Sequence, residues 1–202
     1  MARSVLVFDL DQTLFDRRQA FTDWIRTFGL KPETQADLQR IDQNGYGDRS
    51  YFFETFRVQT GLRLDQATLT AGLLQHIHRD HVLLDCLSKL RSRYTLAVLT
   101  NGGIETQHAK WQALGLENVI AADHFFVSEQ IGFAKPDRRA FEFVADRLGT
   151  DVARCTYFGD QPTIDVDGAI DAGWNACLVT GPGELQTQLE VRLQATGEPI
   201  QC

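Results

Sequence analysis

Four short polar clusters, each at the end of an apolar run or just ahead of a helix, hold the groups that could do chemistry. The first is Asp9-Leu10-Asp11-Gln12-Thr13, two aspartates spaced by one residue directly after Ser4-Val5-Leu6-Val7-Phe8. The second is Thr100-Asn101-Gly102-Gly103, a hydroxyl followed by flexible backbone that can approach an anion closely. Lys135-Pro136-Asp137 is the third and puts an ammonium just before the electropositive end of a helix. The fourth, Gly159-Asp160-Gln161-Pro162-Thr163-Ile164-Asp165, adds two carboxylates. Brought to one place, these acids oppose each other: two carboxylates about 4 Å apart repel by roughly 4 kcal/mol at an effective dielectric of 20. Such a group is tolerable only if some acids hold protons or a cation binds. Oxygen ligands with positions left open suit Mg²⁺, which keeps waters and shares a phosphate with one or two carboxylates. A cation, a lysine and a hydroxyl around a carboxylate nucleophile make a phosphoryl-transfer site. Asp9 would attack in line, and the aspartyl-phosphate would then be hydrolysed.

Positioning these clusters requires a sheet whose strands end on one rim. Val5 to Phe8, Thr95 to Leu99, Phe125 to Val127, Cys155 to Phe158 and Ala176 to Val179 are short and rich in β-branched and aromatic residues, as suits strands buried on both faces of a parallel sheet. Helical patterns lie between them. Asp137 caps one whose apolar residues Phe141, Val144, Ala145 and Leu148 recur at helical spacing, with Gly149 placed to end it. Ile164 to Ala172 before Gly173, and Ile104 to Leu114 before Gly115, repeat that ending. The alternation predicts an α/β fold with a Rossmann-like open parallel sheet flanked by helices. Between the first two strands only helical patterns occur. One begins near Pro32, one carries Tyr51, Phe52, Phe53 and Phe56, and one runs from a cap at Asp65 to about Asp80, with Gly45-Tyr46-Gly47 breaking the series. The expected organisation is a catalytic core of residues 1–15 and 83–202, with a helical cap of residues 16–82 inserted after strand one. Ligands in open α/β sheets bind at the carboxyl ends of the strands, so an insertion leaving from that edge could cover it.

The 202 residues, 43% apolar, are enough for one substantial core. A net charge of −7, from 20 basic and 27 acidic residues, argues against nucleic acid or an anionic membrane as partner, since both need a basic face. No apolar run approaches the ~20 residues of a membrane span, and the start enters a strand pattern at once, leaving no room for a signal peptide. Cys86, Cys155, Cys177 and Cys202 are scattered without a Cys-x-x-Cys pair and read as reduced residues of a cytoplasmic protein.

Taken together, Asp9-x-Asp11-x-Thr13, Thr100-Asn101-Gly102, Lys135-Pro136-Asp137 and Gly159-Asp160-x4-Asp165 resemble the four ordered motifs of the haloacid dehalogenase (HAD) superfamily of hydrolases, in its capped phosphatase branch. The resemblance covers the whole chain. It implies that Asp9 is nucleophile and Mg²⁺ ligand. Asp11 would be general acid and then base, lending its backbone carbonyl to the metal. Thr100 and Lys135 would hold the phosphoryl oxygens with help from Asn101, and Asp160 would bind the metal with Asp165 beside it as ligand or supporting partner. The dehalogenases of the superfamily look metal-independent and lack an acid at the position of Asp11. Gln12 stands where many relatives have glycine, Gln161-Pro162 replaces a common small polar residue, and Leu83-Leu84-Asp85 replaces a frequent Pro-Gly.

Blander readings stand beside these. Thr100-Asn101-Gly102 alone is an ordinary turn, a lone lysine is usually on the surface, and Asp165 begins a helix, where a carboxylate is favourable anyway. His76, His78 and His81 are better taken as a solvated surface than as a metal cluster, because residues two apart on a helix do not share a face. Tyr51, Phe52, Phe53 and Phe56 suit the core of the cap, and Arg17, Arg18 and Arg49 suit a water-facing surface. The reading that follows is an enzyme that hydrolyses a small phosphorylated metabolite: a sugar phosphate, phosphoglycolate or a nucleoside 5′-monophosphate. The alternatives are a phosphomutase and a non-catalytic phospho-acceptor switch. Either a monomer or a homodimer is compatible with the sequence.

Overall fold

The computed structural model describes residues 3–194 of the chain. Five parallel strands, β1 (Val5–Phe8), β2 (Thr95–Thr100), β3 (Phe125–Val127), β4 (Cys155–Gly159) and β5 (Asn175–Leu178), pair in the order β3-β2-β1-β4-β5. Val5 lies opposite Thr95 on one side and Cys155 on the other, which sets the register of the three central strands. β1, β3 and β4 are buried throughout, whereas β5, on the edge, exposes Asn175 and Leu178. Cover on both faces is why the inner strands read as unbroken apolar runs. With β1 central, the loop after it lies between the loops that follow β2 and β4. That is the switch point of an open α/β sheet.

The chain divides into two compact units, Met1–Phe15 with Arg79–Cys202, and Asp16–His78. The inserted unit is helical: α1 (Arg17–Arg26), α2 (Pro32–Asp42), α3 (Arg49–Thr60) and α4 (Gln66–Gln75). In the sheet unit, α5 (His81–Leu90) and α6 (Ile104–Leu114) precede α7 (Ser128–Ile131), α8 (Arg138–Leu148), α9 (Gly168–Asp171) and α10 (Pro182–Gln194). Aspartate starts five of them. Asp16, Asp48, Asp65, Asp80 and Asp137 each accept a hydrogen bond from a backbone N–H of the first helical turn. α6 and α8 end at Gly115 and Gly149 in the left-handed conformation, as their sequences indicate.

Two helices differ from expectation. The pattern running from Asp65 to about Asp80 is broken: α4 stops at Gln75, and a new helix starts at the Asp80 cap. α5 buries Leu83, Cys86, Leu87 and Leu90, and Arg79 donates from Nε to the carbonyl of Ala113, so the sheet unit resumes at Arg79 and not at 83. The segment expected as one helix from Ile164 to Ala172 opens instead with a π-helical turn, Pro162–Asp167, before the short α9. The cysteines are not uniform either. Cys86 and Cys155 are free and buried, but Cys177 is disulfide-bonded, against the reading of all four as reduced. Cys202 lies outside the described residues. No helix among the described residues is long and apolar enough to cross a membrane.

The inserted unit has its own core around Phe21, Trp24, Ile25, Leu38, Phe52 and Phe56, with the Trp24 and Phe56 rings stacked at 5.7 Å. Of the expected aromatic quartet, Phe52 and Phe56 are core, Phe53 is half-buried and Tyr51 is exposed. Arg17 does not face water. It is buried and paired with Asp42, which also accepts from Arg49 and from the backbone N–H of Gly45. Arg18 is exposed. Asp42 thereby holds a turn in which Gln43, Asn44 and Gly45 have φ of 48°, 54° and 99°. His78 and His81 are exposed, as the surface reading has it.

Gly72, inside α4, gives an expectation of unusual sign. Glycine to alanine within a helix ordinarily gains about 1 kcal/mol. A Cβ at Gly72 would instead lie 2.1 Å from Trp24 Nε1. Gly72→Ala is therefore expected to destabilise the protein by about 1–3 kcal/mol, as overpacking does. Chemical denaturation checks this, and a gain in stability would contradict the packing described here.

Candidate active site

Lys135 lies in the loop between α7 and α8, joined to Pro136 by a cis peptide bond, and its side chain is buried. Its ammonium donates to Oδ1 of Asp9 and to Oδ1 of Asp165, both at 2.7 Å, and to the hydroxyl of Tyr157. That hydroxyl in turn donates to the carbonyl of Leu99. All three ammonium protons thus have acceptors. Three chain segments meet here: Asp9 directly follows β1, Tyr157 sits in β4, and Asp165 is in the π-helical turn after β4. The turn closes beneath the site because Gly159 has no side chain. A Cβ there would come within 2.5 Å of three atoms of the Asp165 side chain. The second oxygen of Asp165 accepts from the backbone N–H of Gln161.

Asn101, expected among the phosphate-holding residues, has a different arrangement. Its Oδ1 accepts from the N–H of Lys135 and its Nδ2 donates to the Lys135 carbonyl, at 2.9 and 2.8 Å. Both ends of its amide therefore brace the lysine loop. Thr100, at the end of β2, is buried and accepts from Gln107 Nε2 at 2.7 Å, which leaves its hydroxyl proton to donate elsewhere. Asp137 is the helix cap, bound to the N–H of Arg139.

Asp11 is half-buried and pairs with a different lysine. Both of its oxygens lie 2.7 Å from Lys110 Nζ, and Oδ2 also accepts from Gln107 Nε2 at 3.0 Å. Gln107 and Lys110 were not singled out in the sequence. The signal was present: α6 buries Gln107, Lys110, Trp111 and Leu114, so polar side chains fill two positions of an otherwise apolar helical stripe. Gln12, at the position where many relatives carry glycine, has φ of 62°, a left-handed conformation in which glycine meets no steric cost.

Asp9, Asp160 and Asp165 each offer an oxygen, and these atoms lie within 4.8 Å of one another. Among the described residues, the ammonium ion-paired with this cluster is that of Lys135. If all three ionise, two negative charges remain uncompensated. The acids respond accordingly. Burial, with Asp165 and Asp11 nearby and against the pull of Lys135, pushes Asp9 up to about 7. Burial likewise raises Asp160 to about 6, although Gln161 donates to it. Burial alone would lower Lys135, but Asp165 and Asp9 outweigh it and hold the ammonium above its ordinary value. Asp160 Oδ1 is buried with no hydrogen-bond partner among the described residues. Clustered oxygens, an excess of two negative charges and an orphaned carboxylate oxygen fit a hard divalent cation such as Mg²⁺.

The raised carboxylates fix the sign of a pH effect. From about pH 4 the folded, cation-free protein holds protons that the unfolded chain has released, on Asp160 up to about pH 6 and on Asp9 up to about pH 7. Stability contributed by these groups is therefore complete below pH 4 and is lost as pH rises through their raised values. In the presence of EDTA, the drop in melting temperature between pH 5 and pH 8 is expected to be several degrees smaller in Asp160→Asn than in the unsubstituted protein. Identical slopes for the two proteins would contradict this charge balance.

A model of the haloacid dehalogenase-like hydrolases matches residues 4–173, which include all four polar clusters. Phosphatase MT3486 of Mycobacterium tuberculosis is 32% identical over 214 residues, covering 98% of this chain and 96% of its own. The 5-amino-6-(5-phospho-D-ribitylamino)uracil phosphatase YigB of Escherichia coli is 28% identical over 212 residues, covering 94% of this chain and 89% of its own. Among solved structures, the HAD-hydrolase YfnB of Bacillus subtilis, bound to magnesium, has the same fold with a TM-score of 0.71 at 23% identity, covering 94% of this chain and 100% of that one. The strand order, the position of the carboxylate centre at the rim and the span of the family match lead to one assignment: the chain belongs to the haloacid dehalogenase-like hydrolases.

Proposed function

We propose that the protein is a Mg²⁺-dependent phosphatase that hydrolyses a small phosphomonoester through a phosphorylated Asp9. The observation that carries this reading is the charge count at the rim. Three clustered carboxylates face one lysine, with a buried hydroxyl at Thr100 and a fourth acid, Asp11, paired with Lys110. A centre in which carboxylates outnumber cations favours binding of a divalent cation together with the anion it carries. The family membership and two relatives named as phosphatases support the same conclusion. YigB is named for a phosphorylated ribityl compound, which favours a small phosphorylated metabolite as substrate here.

In this reading Asp9, Asp160 and Asp165 hold the cation. When bound, Mg²⁺ neutralises phosphoryl oxygens and allows Asp9 to stay ionised. Lys135 binds Asp9 through Oδ1, so Oδ2 is the oxygen that attacks phosphorus. Thr100 donates its hydroxyl proton to a phosphoryl oxygen. Asp11, entering in its protonated form, gives that proton to the departing alkoxide and regains one from the water that attacks the aspartyl-phosphate, so inorganic phosphate leaves and both aspartates are restored.

The test is turnover of p-nitrophenyl phosphate. Multiple turnovers are expected with Mg²⁺ and none with EDTA. Asp9→Asn is expected to abolish turnover, and Asp11→Asn to slow it by about 10²–10⁴-fold, the usual range for general acid–base catalysis. Full activity in Asp9→Asn would refute the covalent route. One labelling event without turnover would instead make the protein a phospho-acceptor switch, and return of the phosphoryl group to substrate would make it a mutase.

A further inference from the structure

Lys110 presents an unusual combination: a buried ammonium on the core-facing stripe of a helix, with both oxygens of a single carboxylate 2.7 Å away. An apolar residue would continue the stripe formed with Trp111 and Leu114, and a buried ammonium is retained only where a partner compensates for lost solvation. That partner is Asp11. The Gln107 amide, one turn earlier, donates to Asp11 Oδ2 at 3.0 Å and lies 2.7 Å from Thr100 Oγ1 and 3.3 Å from the Asn101 carbonyl. One amide therefore ties the Asp11 carboxylate to the end of β2. The ring of Phe15 lies 6.0 Å from the ammonium on another side.

We infer that Lys110, assisted by Gln107, is a positioning residue that fixes the Asp11 carboxylate for proton transfer. This inference rests on the proposed phosphatase reading. Asp11 sits in a loop that turns immediately afterwards through the left-handed Gln12, so the backbone directs the side chain and the fork of donors sets its rotamer. Lys110 pairs with Asp11, whereas Lys135 pairs with Asp9 and Asp165. Its removal should therefore affect the acid–base group and leave phosphate binding in place. A misplacement of about 1 Å in a reacting group can lower a rate by ~10²-fold.

A double-mutant cycle on kcat tests this, with p-nitrophenyl phosphate at saturating Mg²⁺. The four proteins are the unsubstituted enzyme, Lys110→Met, Asp11→Asn and the double variant. Lys110→Met is expected to lower kcat by roughly 10- to 100-fold with KM changed by less than about 2-fold. In the Asp11→Asn background the same substitution is expected to leave kcat within about 2-fold, because there is no longer a carboxylate to position. Equal losses in both backgrounds would show a purely structural role and overturn the inference. So would a change confined to KM, or an unchanged kcat in Lys110→Met. If Lys110→Met does not fold, Lys110→Gln, which keeps a donor, takes its place in the cycle with the same criteria. An unsubstituted enzyme without turnover would instead refute the phosphatase reading, so the two failures are distinguishable.

Discussion

The ammonium of Lys135 is the contact on which the rest of the centre depends. It joins the loop after β1, the side of β4 and the π-helical turn after β4 through Asp9, Tyr157 and Asp165. Removing one partner of a buried ion pair leaves an uncompensated charge and typically destabilises by about 3–5 kcal/mol. Here the lysine has two carboxylate partners and a third acid nearby, so even the intact centre is short of positive charge. The raised values of Asp9 and Asp160 express that shortage as bound protons. A centre with excess negative charge is the physical basis for cation binding, and the same excess holds Asp9 short of full ionisation until that charge is met.

Aspartate has two distinct uses in this chain. At Asp16, Asp48, Asp65, Asp80 and Asp137 the carboxylate accepts backbone N–H groups at a helix start, at or near the surface. At Asp9, Asp160 and Asp165 it is partly or wholly removed from water and faces other acids. The first arrangement stabilises a helix without other help. The second is unfavourable unless a lysine, a proton or a cation compensates. Asp42 in the inserted unit is a third case, buried but fully compensated by Arg17, Arg49 and the N–H of Gly45, and so structural.

Much of this was legible in the sequence because it follows from local rules. The unbroken apolar runs read as inner strands since both faces of a parallel sheet are covered, and Gly115 and Gly149 marked helix ends because left-handed backbone favours glycine. The polar clusters at strand ends located the carboxylate centre. What was missed depends on contacts distant in sequence. The break between α4 and α5 turns on Asp80 acting as a cap, whereas helical periodicity continues through it. Asn101 was expected to help hold phosphate, and the bracing of Lys135, 34 residues away, by both ends of its amide is a contact that no local pattern shows. Asp165 was expected beside Asp160 as ligand or supporting partner, but its pairing with Lys135, which the glycine at 159 allows by letting it turn under the site, was not. Lys110 and Gln107 were overlooked because an amphipathic helix with polar residues is ordinary unless one asks which face they occupy.

The link between charge shortage and cation binding can be measured directly as proton release. Titration calorimetry of the cation-free protein with Mg²⁺, repeated in buffers of different ionisation enthalpy, counts the protons displaced per ion bound. With Asp9 near 7 and Asp160 near 6, binding at pH 6 is expected to release protons, in a number that falls towards zero by pH 8.5. Binding at pH 6 without proton release would contradict a centre whose carboxylates are protonated for want of a cation.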